Sequence, residues 1–237
     1  MKALILNSGL GKRMGDITAR HPKCMTELAS GDTILARQIR QMERYNIKDI
    51  IITTGPFANV LESHAANSAK TANITFVNNP DYTSTNYIYS IHLAGEYLID
   101  DILLLHGDLV FSDYVLDELL RQSQSAMTVS STLLLPEKDF KAVIKGTCVQ
   151  AVGVEFFENA LAAQPLYRLL KQDWLVWLEE IENFIAHGKR DCYAENALNR
   201  VSDRCRIHAF DVRDRLCAEI DTPEDLAHIN HLLQGIT

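Results

Sequence analysis

The chain has 237 residues, a formal net charge of −8 at pH 7 and a pI of about 5.5. Hydrophobic residues make up 47% of it and charged residues 23%, which is typical of a globular protein with a sizeable core. The acidic balance argues against nucleic acid as a partner, because proteins that bind duplexes usually carry a basic face.

The sequence lacks the features of an exported or membrane protein. No apolar run approaches the ~18 residues that a membrane-spanning helix needs, and the N-terminus does not have the pattern of a signal peptide. Five cysteines, an odd number without a C-x-x-C pair, are typical of thiols in a reducing compartment. We therefore expect a cytoplasmic protein with no membrane partner and a single domain over residues 1–237. The oligomeric state stays open, a homo-oligomer included.

The N-terminal segment carries charge of the opposite sign to the rest of the chain. Its first thirty residues hold five Lys or Arg and only two acids. Residues 4–6 predict a buried strand, and the loop after it contains Gly9, Gly11, Lys12 and Arg13. Glycine lets backbone N–H groups turn toward an anion, and the cations supply the counter-charge. The loop therefore predicts a polyphosphate site.

Two common glycine motifs do not fit this loop. A P-loop needs Gly-Lys-Ser/Thr at a fixed spacing, which is missing. The dinucleotide fingerprint needs a third glycine where Met14 stands, and an acid at the end of the second strand, where Thr53 and Thr54 stand. A nicotinamide-dependent oxidoreductase is therefore disfavoured.

The first half of the chain alternates strands and helices. Strands are predicted at 49–54, 74–77 and 102–105, and helices at 33–45, 56–70 and up to about 98. This alternation indicates a parallel sheet with crossover helices, whose ligands bind at the carboxyl ends of the strands.

The second half shows shorter apolar runs. Strands are predicted at 127–129, 132–135, 142–144 and 149–155, and a long helix at 165–187. Trp174 and Trp177 have helical spacing, so core packing is favoured over an aromatic cage for a quaternary ammonium. Thr222 and Asp225 predict a capping box at the start of a last helix. His228 and His231 are expected on its surface rather than on zinc.

Several polar residues stand where a ligand is expected. Asp108 follows a glycine at the end of a central strand, so it is placed to hold a metal, although a turn-forming aspartate has the same pattern. Asn86 and Ser90 can bind a base or ribose, but capping and packing explain them equally. Tyr193 and Glu195 suit an ammonium group, while a solvated first-turn glutamate is the alternative for the latter.

The run G-x-G-x-R-M followed by P-K resembles the signature of the nucleoside-triphosphate transferase superfamily. T-N-x-x-x-S, H-G-D, Y-A-E-N-A and E-I-D-T-P-E-D-L extend the resemblance nearly end to end, toward cytidylyltransferases of phosphocholine, phosphonates and phosphoglutamine. Asn7 and Ser8 replace the paired alanines usual in the family. The resemblance implies an α/β, Rossmann-like three-layer αβα fold, with a mostly parallel mixed sheet and a small antiparallel addition on the acceptor side.

The resemblance also implies an activity: Mg²⁺-dependent transfer of CMP from CTP to a small phosphorylated acceptor, with release of pyrophosphate. It assigns Lys23 to the α-phosphate, and Lys12 and Arg13 to the β- and γ-phosphates. The other implied contacts are Asn7, Ser8, Gly9, Leu10 and Gly11 for the triphosphate, Asn86 and Ser90 for the nucleoside, Asp108 and Asp221 for Mg²⁺, and Tyr193, Glu195 and Glu155 for the acceptor.

Alternatives remain open at this stage. The acceptor is phosphocholine, 2-aminoethylphosphonate or the phosphoramidate of glutamine used in capsule modification, with a weak preference for the last. A sugar 1-phosphate is the enzymatic alternative. A non-catalytic nucleotide-binding module is expected to have lost a metal acid or the P-K lysine, and Lys23, Asp108 and Asp221 are all present. A phosphate acceptor is already anionic, so no general base is required.

Overall fold

The computed structural model describes residues 1–9 and 11–235, with Lys12 described in its backbone alone. The predicted triphosphate contact of Leu10 therefore lies outside the described residues, as does the predicted contact of the Lys12 side chain. The strands are β1 (Lys2–Leu6), β2 (Asp49–Thr54), β3 (Asn73–Asn78), β4 (Ile102–His106), β5 (Leu109–Phe111), β6 (Ala126–Ser130), β7 (Lys141–Lys145), β8 (Cys148–Gly153), β9 (Ala160–Leu169), β10 (His208–Asp211) and β11 (Cys217–Glu219).

Nine of these strands form one mixed sheet in the order β3-β2-β1-β4-β9-β6-β10-β8-β7. The first four are parallel to one another, and so are β6 and β10. Antiparallel pairings join β9 to β4, β6 and β7, and join β8 to β7 and β10. Seven of the nine strands therefore run in the same direction, and only β8 and β9 run in the opposite one, so the sheet is mixed with a parallel majority, as expected.

Helices cover the sheet. They are α1 (Ile34–Arg44), α2 (Ala58–Ser68), α3 (Tyr87–Ala94), α4 (Asp113–Leu120), α5 (Lys171–Ala186), α6 (Glu195–Val201) and α7 (Pro223–Gln234), with short 3₁₀ segments at Lys12–Thr18, Lys23–Met25 and Gly95–Tyr97. Successive residues of β1 enter different hydrophobic clusters: Leu4 packs with residues of α3 and α5, and Ile5 packs with residues of α1 and α4. Burial on both sides explains why this strand is continuously apolar.

A separate two-stranded ribbon joins distant parts of the chain. β5 pairs antiparallel with β11, so that Leu109 lies opposite Glu219. The Ile220 N–H donates to the Asp108 carbonyl at 3.0 Å and extends this pairing by one step. The ribbon thus holds the residues that precede β5 beside those that follow β11.

The expected strand at 132–135 is absent; residues 131–140 contain no regular strand or helix. Ser130 Oγ accepts from the Thr132 and Leu133 N–H groups and donates to the Arg213 carbonyl, which turns the chain away from the sheet. Leu134 is consequently 93% exposed.

The expected helix at 165–187 begins six residues too early. Residues up to Leu169 belong to β9, and α5 starts at Lys171. Pro165 is tolerated in a central strand because the register of β6 against β9 shifts between Met127 and Val129, and prolines are found at such bulges. The leucines at 166 and 170 coincide with helical spacing without being helical.

The remaining element predictions are confirmed to within a few residues. Trp174 and Trp177 are fully buried, and their indole N–H groups donate to the Leu98 and Ala194 carbonyls, as expected of core residues. His228 and His231 are exposed on α7. No helix among residues 1–9 and 11–235 is long and apolar enough to cross a membrane.

The capping box of α7 provides a test of local stability. The Asp225 N–H donates to Thr222 Oγ1, and Asp225 Oδ2 accepts from the Thr222 N–H. Thr222→Ala is expected to lower the free energy of unfolding by about 1 kcal/mol, because an N-terminal amide loses its partner. Urea denaturation measures this change. Ser63→Ala on the exposed face of α2 is the control, with an expected change within about 0.5 kcal/mol; equal effects of the two substitutions would contradict the assignment.

Candidate active site

One lysine lies between two carboxylates at the carboxyl ends of the central strands. Lys23 Nζ contacts Asp108 Oδ2 and Asp221 Oδ1. All three side chains are largely buried, with exposures of 13%, 19% and 11%. The predicted metal acids, 113 positions apart in the chain, therefore meet across one crevice, and the P-K lysine lies between them.

A different structural element positions each of these three side chains. Asp108 follows β4, Asp221 follows β11, and the ribbon of β5 and β11 holds them side by side. The Asp221 N–H donates to Asp225 Oδ2 at 3.0 Å, so the capping box of α7 also fixes this residue. Lys23 begins a 3₁₀ turn after Pro22.

The glycine loop lines the same cavity as Lys23. Gly11 has a left-handed backbone (φ 60°) at the start of the 3₁₀ segment that carries Arg13, and such a conformation favours glycine. Arg13 Nη2 lies 2.8 Å from Asp221 Oδ1. Gly9, Gly11, Arg13, Lys23, Asp108 and Asp221 line a cavity of about 270 Å³, which we call the loop cavity.

Asn7 fits closely against the turn after β4. A Cβ atom at Gly107 would lie 1.6 Å from Asn7 Oδ1, so only glycine allows this approach. The Asn7 N–H donates to Thr53 Oγ1. Asn7 Nδ2 is buried without a hydrogen-bond partner among the described residues, and Asn7 lines the loop cavity, so an amide donor is free beside a pocket.

A second cavity, of about 180 Å³, lies on the other side of Gly9. We call it the amide cavity, and its polar lining includes Ser8, Asn79, Thr85 and Asn86. Asn86 caps α3 through the Tyr87 N–H and also faces this cavity.

Ser90 lies behind the wall of the amide cavity. It is 1% exposed, and its hydroxyl bonds Ser8 Oγ at 2.6 Å and Asn79 Nδ2 at 3.0 Å. The structure therefore brings Ser90 to the site as a support for Ser8 and Asn79.

Aromatic side chains line a third cavity, of about 210 Å³, which we call the aromatic cavity. Tyr87, Phe140 and Tyr193 form its walls; the ring centroids of Phe140 and Tyr193 are 4.9 Å apart. Lys138 and Asp139 also line it, as do Lys23, Asp108 and Asp221. Predicted Tyr193 is therefore at the site.

The other two predicted acceptor residues do not line the aromatic cavity. Glu195 is 1% exposed and accepts hydrogen bonds from the Tyr87 and Tyr167 hydroxyls, which fixes the ring of Tyr87. Glu155 is exposed beyond β8, where its carboxylate lies close to Gly153.

His106 and Glu219 form a buried pair beneath Asp108. His106 Nδ1 lies 2.9 Å from Glu219 Oε1. Burial lowers the pKa of His106, but Glu219, Asp108 and Glu195 raise it to about 9. Burial and the charge of Asp108 raise the pKa of Glu219 to about 7, against the effect of His106. Ligand atoms of His106, Asp108 and Glu219 lie within 4.8 Å of one another.

The lysine between the carboxylates is held in its charged form. Burial lowers the pKa of Lys23, but the charges of Asp108 and Asp221 more than offset this, so that its pKa is raised. Burial raises the pKa of Asp108, but Lys23 and His106 lower it below its ordinary value. Asp108 Oδ1 remains buried without a partner among the described residues.

The sequence analysis did not predict several of the residues that line the cavities of the site. His106 and Glu219 each stand two positions before a predicted metal acid, so the H-G-D and E-I-D runs contained the signal. Lys138, Asp139 and Phe140 lie in the irregular segment at 131–140, where no periodic pattern indicated a site.

The buried pair generates a pH-dependence prediction. The pKa of His106 is raised from 6.5 in the unfolded chain to about 9, so its protonated ring stabilises the fold below pH 6.5. That contribution is lost as the pH rises through 9. Glu219→Gln should lower the pKa of His106, measured by NMR titration of its ring, by about 1–3 pH units.

Glu182→Gln is the matched control for this substitution. Glu182 pairs with the half-exposed His92 at 2.7 Å, away from the buried pair, so the titration of His106 should not change. A wild-type pKa at or below 6.5 for His106, or an equal effect of both substitutions, would contradict the pairing.

The chain has relatives of known activity. A CMP-5'-(3-aminopropyl)phosphonate synthase of Streptomyces rubellomurinus is 28% identical over 245 residues, covering 95% of this chain and 37% of that protein. A choline-phosphate cytidylyltransferase of Haemophilus influenzae is 31% identical over 112 residues, covering 47% of this chain and 46% of that protein. The chain therefore spans less than half the length of either relative.

Solved structures share the fold. The CTP:phosphocholine cytidylyltransferase of Streptococcus pneumoniae superposes with a TM-score of 0.78 at 18% identity, over 98% of both chains. At this identity the likeness shows the α/β nucleotidyltransferase fold. The family described as the MobA-like NTP transferase domain matches residues 3–191, which is most of the chain. The chain therefore belongs to the MobA-like NTP transferase family.

Proposed function

We propose that this chain is a Mg²⁺-dependent cytidylyltransferase, which transfers CMP from CTP to a small phosphorus-containing zwitterion and releases pyrophosphate. The observation that carries the proposal is the contact of Lys23 with Asp108 and Asp221 at the mouth of a glycine-lined cavity. The relatives, which are named for aminopropylphosphonate and choline phosphate, support the choice of substrates.

In the proposed reaction, an oxygen of the acceptor's phosphate or phosphonate attacks the α-phosphorus of CTP. A new P–O bond forms as the bond from the α-phosphorus to the bridging oxygen breaks, and pyrophosphate leaves with that electron pair. The acceptor oxygen is already anionic, so no side chain must remove a proton. The residues contribute by positioning the two substrates and by stabilising charge.

The cations of the loop cavity are suited to the triphosphate. Lys23 is held protonated by Asp108 and Asp221 and is only 13% exposed, so water screens its attraction to a nearby phosphate oxygen only weakly. Arg13 contributes a planar guanidinium that is 59% exposed and pairs with Asp221 through Nη2, and its remaining N–H groups are donors suited to an outer phosphate. The backbone at Gly9 and Gly11 and the free amide of Asn7 complete the donor set.

The carboxylates fit a magnesium ion. Mg²⁺ prefers carboxylate and phosphate oxygens, and Asp108 and Asp221 lie close enough together that both contact one cation, the ammonium group of Lys23. Asp108 Oδ1 has no partner among the described residues. When bound, Mg²⁺ would neutralise the charge of the triphosphate. Lys23, which contacts both carboxylates, is the residue that we assign to the negative charge developing at the α-phosphate.

The amide cavity is suited to the nucleoside. Its hydroxyl and amide groups, on Ser8, Asn79, Thr85 and Asn86, offer both donors and acceptors to a ribose or a pyrimidine edge. Ser90 supports two of these residues from behind. We assign it that supporting role rather than a direct contact.

The aromatic cavity is suited to the acceptor. Lys138 and Arg13 are among its lining residues and offer positive charge to a phosphoryl group, and Tyr87, Phe140 and Tyr193 provide an apolar wall. We also propose that the helices form outer layers of a three-layer αβα arrangement, with β7 and β8 as the antiparallel addition on the acceptor side.

The proposed product is an activated compound. It would be made in the cytoplasm and used for cell-surface or capsule modification.

A pyrophosphate-release assay with four nucleoside triphosphates and an acceptor panel tests the proposal. We expect release with CTP and a zwitterionic phosphate or phosphonate. Lys23→Ala should lower kcat by about 10²–10³, because removing one transition-state donor costs about 2.7–4 kcal/mol. Lys189→Ala, on an exposed lysine that stacks on Phe184, is the control and should leave kcat unchanged.

Two outcomes of this assay would replace the proposal. Turnover limited to sugar 1-phosphates would make the chain a sugar-phosphate nucleotidyltransferase. Binding of nucleotide without turnover of any acceptor would make it a nucleotide-binding module.

A second prediction concerns the metal. Asp108→Asn should abolish Mg²⁺-dependent turnover and weaken Mn²⁺ binding, measured by electron paramagnetic resonance, because one charged oxygen ligand becomes a neutral amide. Asp203→Asn, on an exposed turn after α6, is the control. Unchanged Mn²⁺ affinity in Asp108→Asn would remove this residue from the metal site.

A further inference from the structure

Tyr82 and Tyr87 both line the amide cavity, but the protein holds their side chains differently. The Tyr87 hydroxyl donates to Glu195, and its ring packs edge-on against His106. Tyr82 is partly exposed, and it makes no side-chain hydrogen bond or ring contact with any residue that the structure describes. It also lies outside the three hydrophobic clusters of the core. The aromatic face of Tyr82 is therefore available to a ligand.

The turn that carries Tyr82 is held by hydrogen bonds in which the tyrosine side chain takes no part. Residues 80–84 form this turn between β3 and α3. Asn79 Oδ1 accepts from the Asp81 N–H at 2.9 Å, and the Asp81 carbonyl accepts from Thr85 Oγ1 at 2.9 Å. The backbone at Tyr82 is thus fixed before a ligand binds, which lowers the conformational entropy that binding costs.

The polar side chains of the amide cavity are largely bonded to one another. Asn79 Nδ2 donates to Thr85 Oγ1 and to Ser90 Oγ, both at 3.0 Å. Ser8 Oγ bonds Ser90 Oγ at 2.6 Å, and Asn86 Oδ1 accepts from the backbone N–H of the residue that follows it. Much of the hydrogen-bonding capacity of this lining is already used, so an aromatic contact would add affinity that these side chains do not supply.

The position of Tyr82 relative to the phosphate-binding cations indicates which part of a nucleotide it contacts. Gly9 and Asp108 line both the loop cavity and the amide cavity, so one ligand can extend through both. Tyr82 is absent from the described lining of the loop cavity and of the aromatic cavity. A triphosphate beside Lys23 and Arg13 would place its nucleoside toward Tyr82, and the base is the part with a flat π-face.

From these features we infer that Tyr82 is a stacking residue for the nucleobase of the bound triphosphate. Its ring packs on the face of the base, and its hydroxyl is not required. The inference rests on the proposed function for the identity of the nucleotide. Because every base has a π-face, this contact contributes affinity without choosing among bases.

Calorimetric binding of CTP to the full chain in the presence of Mg²⁺ tests the inference without turnover. Tyr82→Ala should weaken CTP binding about 10- to 100-fold, the range expected for loss of a base–aromatic stack. Tyr82→Phe keeps the ring and should bind CTP within about twofold of the wild-type chain. Tyr114→Ala is the matched control, because Tyr114 is 51% exposed on α4 and lines none of the three cavities of the site; its CTP affinity should be unchanged.

A fluorescence measurement distinguishes stacking from a merely structural role. Trp174 and Trp177 are fully buried, so the wild-type chain serves as the blank for Tyr82→Trp. CTP should quench the emission of Tyr82→Trp with saturation, because the base would stack on the new indole ring. Inorganic tripolyphosphate has no base and should not quench it. Tyr114→Trp is the control and should show no saturable quenching by CTP.

Three results would overturn the inference: wild-type CTP affinity in Tyr82→Ala, equal losses of affinity in Tyr82→Phe and Tyr82→Ala, or no quenching of Tyr82→Trp by CTP. If any of these occurs while the wild-type chain turns over CTP, the cytidylyltransferase proposal stands and the assignment of Tyr82 fails. If the stacking results are obtained while no acceptor is turned over, the assignment of Tyr82 stands and the proposed function fails.

Discussion

The site depends on one electrostatic interaction, the contact of a protonated lysine with two buried carboxylates. Lys23, Asp108 and Asp221 come from separate parts of the chain, and none of them would be stable alone at this depth, because an isolated buried charge costs several kcal/mol. Together they neutralise much of one another's charge. The same three groups line the loop cavity and the aromatic cavity, so any ligand that spans these cavities must interact with them.

The contribution of the fold is to fix the positions of the side chains that line the site. The ribbon of β5 and β11 brings Asp108 and Asp221 together, and the capping box of α7 fixes the second of them. Gly107 permits the close approach of Asn7. Asp108 also lines two further cavities, one with amide and hydroxyl groups and one with aromatic rings. The arrangement suits a reaction between two phosphorus centres, which requires alignment and counter-charge more than proton transfer.

Much of this arrangement could be predicted from the sequence, for identifiable reasons. Continuous apolar runs predicted β1 and β4, and the glycine loop and the H-G-D run predicted the polar residues that follow these two strands; the E-I-D run did the same at the end of β11. Sequence patterns failed where long-range pairing decided the structure. The leucines of β9 have helical spacing but pair with β4 and β6, and the apolar run at 132–135 is turned outward by Ser130. Glu195 has the pattern of a surface glutamate, yet two tyrosines hold it in the core.

The central claim is that the lysine and its two carboxylates receive a nucleoside triphosphate together with a divalent cation. Equilibrium binding of CTP to the wild-type chain, measured by calorimetry with and without Mg²⁺, tests it most directly. The account predicts one saturable site whose affinity falls about tenfold or more when Mg²⁺ is withheld, because metal and nucleotide binding are thermodynamically coupled. CTP affinity that is unaffected by Mg²⁺, or no saturable binding in either condition, would contradict it.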